Sequence, residues 1–361
     1  MIVGMLGGGQ LSLMLAEAAR PLNISVVFID PAPDACARRV ATQILADYDD
    51  PEALESLASQ CDVVTYEFEN IPDRAVKQLS EKLDVFPAGN ALSTAQDRLN
   101  EKNQLVALDI PVPALRAIDS LGNLRQAVTD LGVPCVLKTR RFGYDGKGQF
   151  VIRSADEVTE AWEAINKAPA ILEAFMPFDR EVSIIAVRDQ QGNHQTYPLS
   201  ENIHKNSILD QSYSREADPV FSQAEQYIGR LMDEFGYVGV LALELFQVGD
   251  QLYANEFAPR VHNSGHWTIE GTVCSQFENH MRAVAGLPLG EISLNGYSVM
   301  LNCIGDMPDV SKIIKLPGVA VHDYGKAARE GRKVGHITIT AESEEALDKL
   351  LDQVKAKSSM E

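Results

Sequence analysis

Residues 135–149 read CVLKTRRFGYDGKGQ, and the fold of this stretch decides the architecture of the chain. A short apolar run ends on Lys138, and Gly143-Tyr144-Asp145-Gly146-Lys147-Gly148 follows. The run reads as a strand, the glycine-rich stretch as a loop, and Phe150 to Arg153 as the returning strand. Glycines let a backbone close over a polyphosphate, and a lysine anchored on a strand supplies a point charge for it. No G-K-[ST] opens a helix here, so this is not a Walker loop. Three glycines in six residues also suit a mobile flap. The plainer reading is a hairpin tip with a solvated lysine.

Downstream, residues 241–260 read LALELFQVGDQLYANEFAPR, a hairpin around Gly249-Asp250. With the three-residue turn Gly249-Asp250-Gln251, Val248 pairs with Leu252 and Glu244 faces Glu256. A two-residue turn would instead bring Asn255 opposite Glu244. Two facing carboxylates among Leu, Ala and Phe repel unless something neutralises them. A hard divalent cation does so economically, and Mg²⁺ commonly shares such carboxylates with nucleotide phosphates. Mn²⁺ is the alternative ion, and two exposed strand-edge glutamates are the plainer reading. Arg260-Val261-His262-Asn263-Ser264-Gly265-His266-Trp267 follows, a polar density that reads as an active-site loop. His262 and His266 are not a helical metal pair, because Gly265 intervenes, and His266 reads as structural. Arg332 and Lys333 precede a strand in the tail. They gain interest only if the tail folds back on the N-terminus.

The N-terminus, MIVGMLGGGQLSLMLAEAARPLNISVVFIDP, joins an apolar strand to a helix through Gly7-Gly8-Gly9. A dinucleotide fingerprint needs a third glycine where Ser12 stands, although Asp30 ends the second strand as a ribose-binding acid would. The bare N–H groups of a helix start still favour an anion. A glycine turn that merely packs strand on helix is the alternative.

Strand and helix signals alternate up to about residue 90: strands in IVGML, SVVFID, DVVTYE and a short DVFPA, helices over Gln10–Arg20 and PEALESLASQ. This predicts a Rossmann-like α/β unit with a parallel sheet over residues 1–92. A helix over Leu92–Leu108 opens an α+β middle domain, 93–290, whose flap subdomain spans about 112–172. Residues 291–361 form a small β-rich tail with a closing helix. A length of 361 residues fits two or three domains. Apolar residues make up 45% and charged ones 23%, as in ordinary globular proteins. The formal charge of −19 argues against a broad nucleic-acid footprint or an anionic membrane surface. The five cysteines form no C-x-x-C pair, which disfavours a zinc or disulfide framework and fits the reducing cytosol. Neither a signal peptide nor an apolar run of ~18 residues is visible.

Taken in order, GGGQL, TYEFEN (65–70), GYDGKGQ, NEFAPRVHNSGHW (255–267) and GRKVGH (331–336) resemble the 5-(carboxyamino)imidazole ribonucleotide synthase family of purine biosynthesis, within the ATP-grasp superfamily. The match runs from residue 1 to about 340, and the long NEFAPRVHNSGHW string carries most of its specificity. The family more often continues GGGQL with Gly-Arg, where this chain has Ser12-Leu13. The resemblance implies a pre-ATP-grasp, an ATP-grasp and a small C-terminal domain. It implies carboxylation of aminoimidazole ribonucleotide with bicarbonate and ATP, through carboxyphosphate, in a cytoplasmic homodimer.

It also implies site residues. Arg98 and Lys138 would meet ATP phosphates, and Gly143, Tyr144, Asp145, Gly146, Lys147, Gly148 and Gln149 would form the flap. Glu173, Ala174, Phe175 and Met176 would be the adenine hinge, with Glu181 on the ribose and His204 near the nucleotide. Glu244 and Glu256 would hold Mg²⁺, with Asn255 beside them. Arg260, His262 and Asn263 would bind bicarbonate and steady carboxyphosphate. Gly8, Gly9, Gln10, Glu69, Tyr144, Asp145, Arg332 and Lys333 would surround the ribonucleotide, with Glu67 able to replace Glu69. No convincing nucleophile–base pair is present, which suits chemistry driven by charge neutralisation and water exclusion. The competing readings are a formate- or amino-acid-using ATP-grasp ligase, a nicotinamide-dependent oxidoreductase and a non-catalytic nucleotide-binding module.

Overall fold

The computed structural model describes residues 1–143 and 146–358; Tyr144 and Asp145, expected at the flap tip, lie outside the described residues. The N-terminal unit is a parallel four-stranded sheet in the order Thr42–Leu45, Ser25–Asp30, Ile2–Leu6, Val63–Tyr66. Its central strands are apolar on both faces because helices cover both, Gln10–Ala19 on one side and Pro51–Gln60 on the other. Asp50 caps the second helix through the Ala53 N–H, and Pro51 sits where its missing N–H costs nothing. The DVFPA segment forms only a single bridge, Val64 to Val85.

The helix expected over 92–108 is two helices, Gly89–Ala95 and Arg98–Ala107. Asp97 separates them: its carboxylate accepts the N–H groups of Leu99 and Asn100 and pairs with Arg140 at 2.8 Å. An N-cap there starts a new helix and aims Arg98 at the middle domain.

The flap subdomain is an antiparallel sheet in the order Leu115–Ile118, Ala170–Ala174, Cys135–Thr139, Gln149–Ile152. Helices Leu121–Leu131 and Val158–Ala164 pack against it around Leu137, Trp162 and Leu172. The opening stretch thus forms the two strands and the intervening loop, with Lys138 paired to Gln149.

The third sheet has nine strands. Along its path they are Gln251–Ala258, Gly239–Val248, Arg180–Arg188, Leu199–Lys205, Ile208–Arg215, Tyr297–Ile304, Lys333–Ala341 and Val319–Asp323, with His194–Thr196 paired to Arg180–Arg188. The tail is β-rich, and its three strands extend the middle domain's sheet through the pair Tyr213–Val299. Lys333 therefore lies on the same sheet as Glu244 and Glu256. Glu344–Ser358 closes the far side over Val334, Ile337 and Ile339.

Candidate active site

The hairpin brings the two carboxylates together by an unexpected route. Val248 pairs with Gln251, so the turn is the two-residue Gly249-Asp250. The register then slips between Glu244 and Leu245: Leu245 pairs with Ala254, and Glu244 faces Glu256. Asn255 is the extra residue of a β-bulge, a device that re-aims side chains beside functional sites. The three-residue turn expected from the sequence does not form, yet the facing it predicted does.

Each carboxylate meets a cationic or N–H partner. Arg98 Nη1 lies 2.6 Å from Glu256 Oε2, and its Nη2 donates to the Gly143 carbonyl at 3.3 Å, tying the flap base to the hairpin. His262 Nε2 lies 3.1 Å from Glu244 Oε1. Burial pushes the Glu244 carboxyl up, but His262, His204 and Lys333 overcome it and hold it well below the usual range. The Ser264 N–H donates to His262 Nδ1, so Nε2 carries the proton that faces Glu244. Behind it runs a buried chain. Ser264 Oγ is 2.8 Å from Nδ1, Ser183 donates to Ser264, Asn202 to Ser183, and Ser212 to Asn202. These bonds fix the ring's tautomer and plane.

Arg260 pairs with Glu69 at 2.5 Å. Asn263 exchanges amide hydrogen bonds with the buried Asn302 at 3.0 and 2.8 Å. Both ends of the Asn263 side chain are thus committed to the tail strand Tyr297–Ile304, and it locks the loop in place. His266 is fully buried beside Phe277 and His336, and burial drives its pKa well down.

On the nucleotide side, Lys138 Nζ lies 2.6 Å from Glu173 Oε2 and 3.4 Å from Asn255 Oδ1. Glu173 is 2% exposed, and its other oxygen meets Lys102 at 2.8 Å. Burial raises its pKa, but the two lysines hold it at about 2. Its carboxylate is therefore committed to the two lysines. Lys102, a residue the sequence reading missed, is fully buried and also donates to the Ala254 carbonyl at 3.0 Å. At the hinge, the N–H groups of Ala174 and Phe175 donate to Ala114 and Pro134, and the Met176 carbonyl accepts from Phe178. Glu181 and His204 come together at 3.2 Å; Glu181 raises the His204 pKa against a burial effect that lowers it. In the flap, Gly146, Lys147 and Gly148 form the turn before Gln149, with Gly146 and Gly148 at φ +77° and +71°.

The N-terminal loop corrects one expectation. The Gly8 N–H donates to Asp30 Oδ2 at 2.8 Å and the Gly9 N–H to Glu67 Oε1 at 3.0 Å, so carboxylates occupy the donors assigned to a phosphate. Gly7 holds φ +104°, and a side chain there would strike Glu67. Ser12, in the third-glycine slot, donates to the Gly7 carbonyl at 2.6 Å and stiffens the turn. The tail does fold back: Lys326 donates to Gln10 Oε1, and Arg39 to the Asp323 carbonyl at 2.9 Å. Lys326 was also missed, although it belongs to the same cationic run as Arg332 and Lys333. Burial lowers its pKa; Cys36 and Glu67 oppose this, and Arg332 and Lys333 add to it. Lys333 acts electrostatically on Glu244, His204 and Lys326. Glu67 and Glu69 divide the acidic work, with Glu67 buried at the glycine loop and Glu69 on Arg260.

A cavity of about 780 Å³ lies elsewhere, between Arg215, Phe221, Leu289 and Ile292. The charged cluster lies instead where the three units meet, joined by Arg98 to Glu256 and Gly143 and by Arg260 to Glu69.

Residues 103–277 match the model of the ATP-grasp domain, residues 1–96 that of the ribonucleotide synthetase preATP-grasp domain, and residues 298–350 that of the phosphoribosylaminoimidazole carboxylase C-terminal domain. The chain is 48% identical over 356 residues to N5-carboxyaminoimidazole ribonucleotide synthase of Pseudomonas aeruginosa, covering 99% of each chain. The Thermus thermophilus synthetase superposes with a TM-score of 0.94 at 46% identity, covering 98% of both chains. The Aspergillus clavatus enzyme, solved with ADP and 5-aminoimidazole ribonucleotide, superposes with a TM-score of 0.91 at 32% identity, covering 99% of this chain and 98% of that one. With identity of this order along nearly the whole length, the chain belongs to the N5-carboxyaminoimidazole ribonucleotide synthase family.

Proposed function

We propose that the protein carboxylates 5-aminoimidazole ribonucleotide with bicarbonate and ATP, giving the N5-carboxy product, ADP and phosphate. The observation that carries this reading is the single sheet that holds Glu244 and Glu256 at one end and Lys333 toward the other. Arg98 and Lys138 stand on the first side, and Arg332 and the Lys326–Gln10 contact on the second. The relative solved with ADP and the ribonucleotide supports the same pair of ligands.

In this reading Arg98 and Lys138 draw the triphosphate toward the hairpin, with Gly143 and Gly146 to Gln149 as its cover. Tyr144 and Asp145 would complete that cover and reach the ribonucleotide. Ala174, Phe175 and Met176 line the adenine end, and Glu181 and His204 the ribose. A bicarbonate oxygen attacks the γ-phosphorus and ADP leaves; the amine of the ribonucleotide then takes the carboxyl group and phosphate leaves. Arg260 and His262 offer N–H donors to the developing negative charge, with Asn263 holding their loop. Gln10, Glu69, Lys326, Arg332 and Lys333 hold the ribonucleotide, and Gly8 and Gly9 shape the turn that presents Gln10.

The donor set fits Mg²⁺ or Mn²⁺. Glu244 and Glu256 face each other, Asn255 adds a carbonyl oxygen, and cationic or N–H partners meet both carboxylates. Among the described residues no group of three or more His, Cys, Asp or Glu could hold a metal alone, which suits an ion completed by phosphate oxygens. Bound there, the ion would neutralise charge on the transferring phosphate. Among the described residues no helix is long and apolar enough to cross a membrane, and a cytoplasmic homodimer fits the reading. Light scattering on the purified protein tests the dimer. The chemistry is tested with ¹⁸O-labelled bicarbonate: one label should appear in the released phosphate, and unlabelled phosphate would refute this attack.

A further inference from the structure

Two lysines share one buried carboxylate in this site, an arrangement the reaction itself does not require. Lys138 and Lys102 both lie on Glu173, at 2.6 and 2.8 Å, and Glu173 and Lys102 are almost wholly removed from water. A buried carboxylate with one cation would consume the charge of that cation. Here burial lowers the Lys102 pKa and Glu173 opposes it; with Lys102 as the carboxylate's cation, the cluster's positive charge is left to its less buried member, Lys138. The Lys102 ammonium also donates to the Ala254 carbonyl, the residue that precedes Asn255 in the bulge. Arg98, Glu101 and Lys102 lie at helical spacing on one face, and all reach the strand Gln251–Ala258. Glu101 also acts on Lys102, but burial and the neighbouring Glu256 raise its pKa to about 8 against the pull of Arg98 and Lys102, and its carboxyl accepts the Phe257 N–H at 2.6 Å; Glu173 is the carboxylate in direct contact with Lys102.

We infer that Lys102 is a positioning residue for the nucleotide: its buried ammonium neutralises Glu173, leaving the charge of Lys138 to the phosphates. The inference rests on the reading that Lys138 meets ATP. A merely structural Lys102 would tie the helix to the hairpin and the hinge strand, and its loss would not depend on the charge of Glu173. Charge compensation predicts that removing the Glu173 charge cures the loss of Lys102.

The test is equilibrium binding of Mg-ATP to the full chain by calorimetry, for wild type, Lys138→Met, Lys102→Met and the double variant Lys102→Met/Glu173→Gln. Lys138→Met should weaken binding about tenfold or more, and Lys102→Met by a comparable factor. The double variant should return to within about threefold of wild type. Wild-type affinity in Lys102→Met, or a double variant that binds as weakly as Lys138→Met, overturns the inference. Unchanged binding by Lys138→Met refutes the phosphate reading beneath it, and the inference falls with it. If Lys102→Met does not fold, the double variant buries no charge at these positions and decides alone, by the same two outcomes.

Discussion

His280 should make the protein lose stability in mild acid, by an amount the structure sets. Its ring is fully buried between two domains: Nε2 meets Thr65 Oγ1 of the N-terminal sheet at 2.8 Å, and Nδ1 accepts the Val240 N–H of the large sheet at 3.1 Å. Because Nδ1 accepts, Nε2 carries the only proton, and a second proton would break the Val240 bond inside an apolar seam. Burial lowers the folded pKa from 6.5 to about 4. A depressed histidine pKa means the unfolded chain binds the proton first. The stabilisation is fully present above pH ~6.5 and is lost as pH falls toward 4. Linkage with those two values gives a loss of about 2 kcal/mol at pH 5 and about 3 kcal/mol at pH 4. Carboxylates and the other buried histidines titrate nearby, so the quantity to measure is a difference. Urea unfolding of wild type and His280→Gln at pH 7, 5 and 4 provides it, since the amide cannot take the proton. The stability of wild type relative to the variant should shrink by these amounts. A difference that stays constant from pH 7 to 4 would refute the assigned protonation.

Other perturbations address the site. Glu256→Gln keeps the shape of the hairpin but removes a carboxylate; kcat should fall on the order of 100-fold or more, with circular dichroism unchanged and a higher Mg²⁺ requirement. Near-normal activity at normal Mg²⁺ would count against the metal assignment. Lys326→Met should raise the KM for the ribonucleotide about tenfold and leave that for ATP within about twofold, because Lys326 touches the N-terminal loop and not the hairpin; equal effects on both would show a general loss of structure. Asn302→Leu frees the Asn263 amide and should lower kcat more than it raises either KM, as a loosened catalytic loop would; unchanged kcat would remove Asn263 from the account.

Much of this site was legible in the sequence, and the gaps have physical causes. The flap strands and Lys138 could be read because an apolar run, a lysine and clustered glycines leave few alternatives. The facing of Glu244 and Glu256 was read correctly through a wrong turn: the Gly249-Asp250 pair favours a two-residue hairpin, and no local signal marks the bulge at Asn255 that restores the facing. The strand Ile208–Arg215 escaped notice because its inward positions include Gln211, Ser212 and Ser214, polar residues that belong to hydrogen-bonded networks inside the sheet. The helix break at Asp97 carries a cap residue, but helical propensity on both sides masks it. Lys102 looks like any solvated lysine on a polar helix, and only the tertiary approach of Glu173 and Ala254 buries it. The glycine loop misled for a related reason: its open donors in sequence are filled in space by Asp30, which ends the strand Ser25–Asp30, and Glu67, which follows the strand Val63–Tyr66.

The central claim is that one cleft couples ATP cleavage to carboxylation of the ribonucleotide. It is tested most directly by following ADP release in a coupled assay, with bicarbonate and 5-aminoimidazole ribonucleotide supplied separately and together. The account predicts rapid ADP release only when both are present, with one N5-carboxylated product per ADP. ADP release that ignores the ribonucleotide, or depends on formate or an amino acid instead, would contradict it.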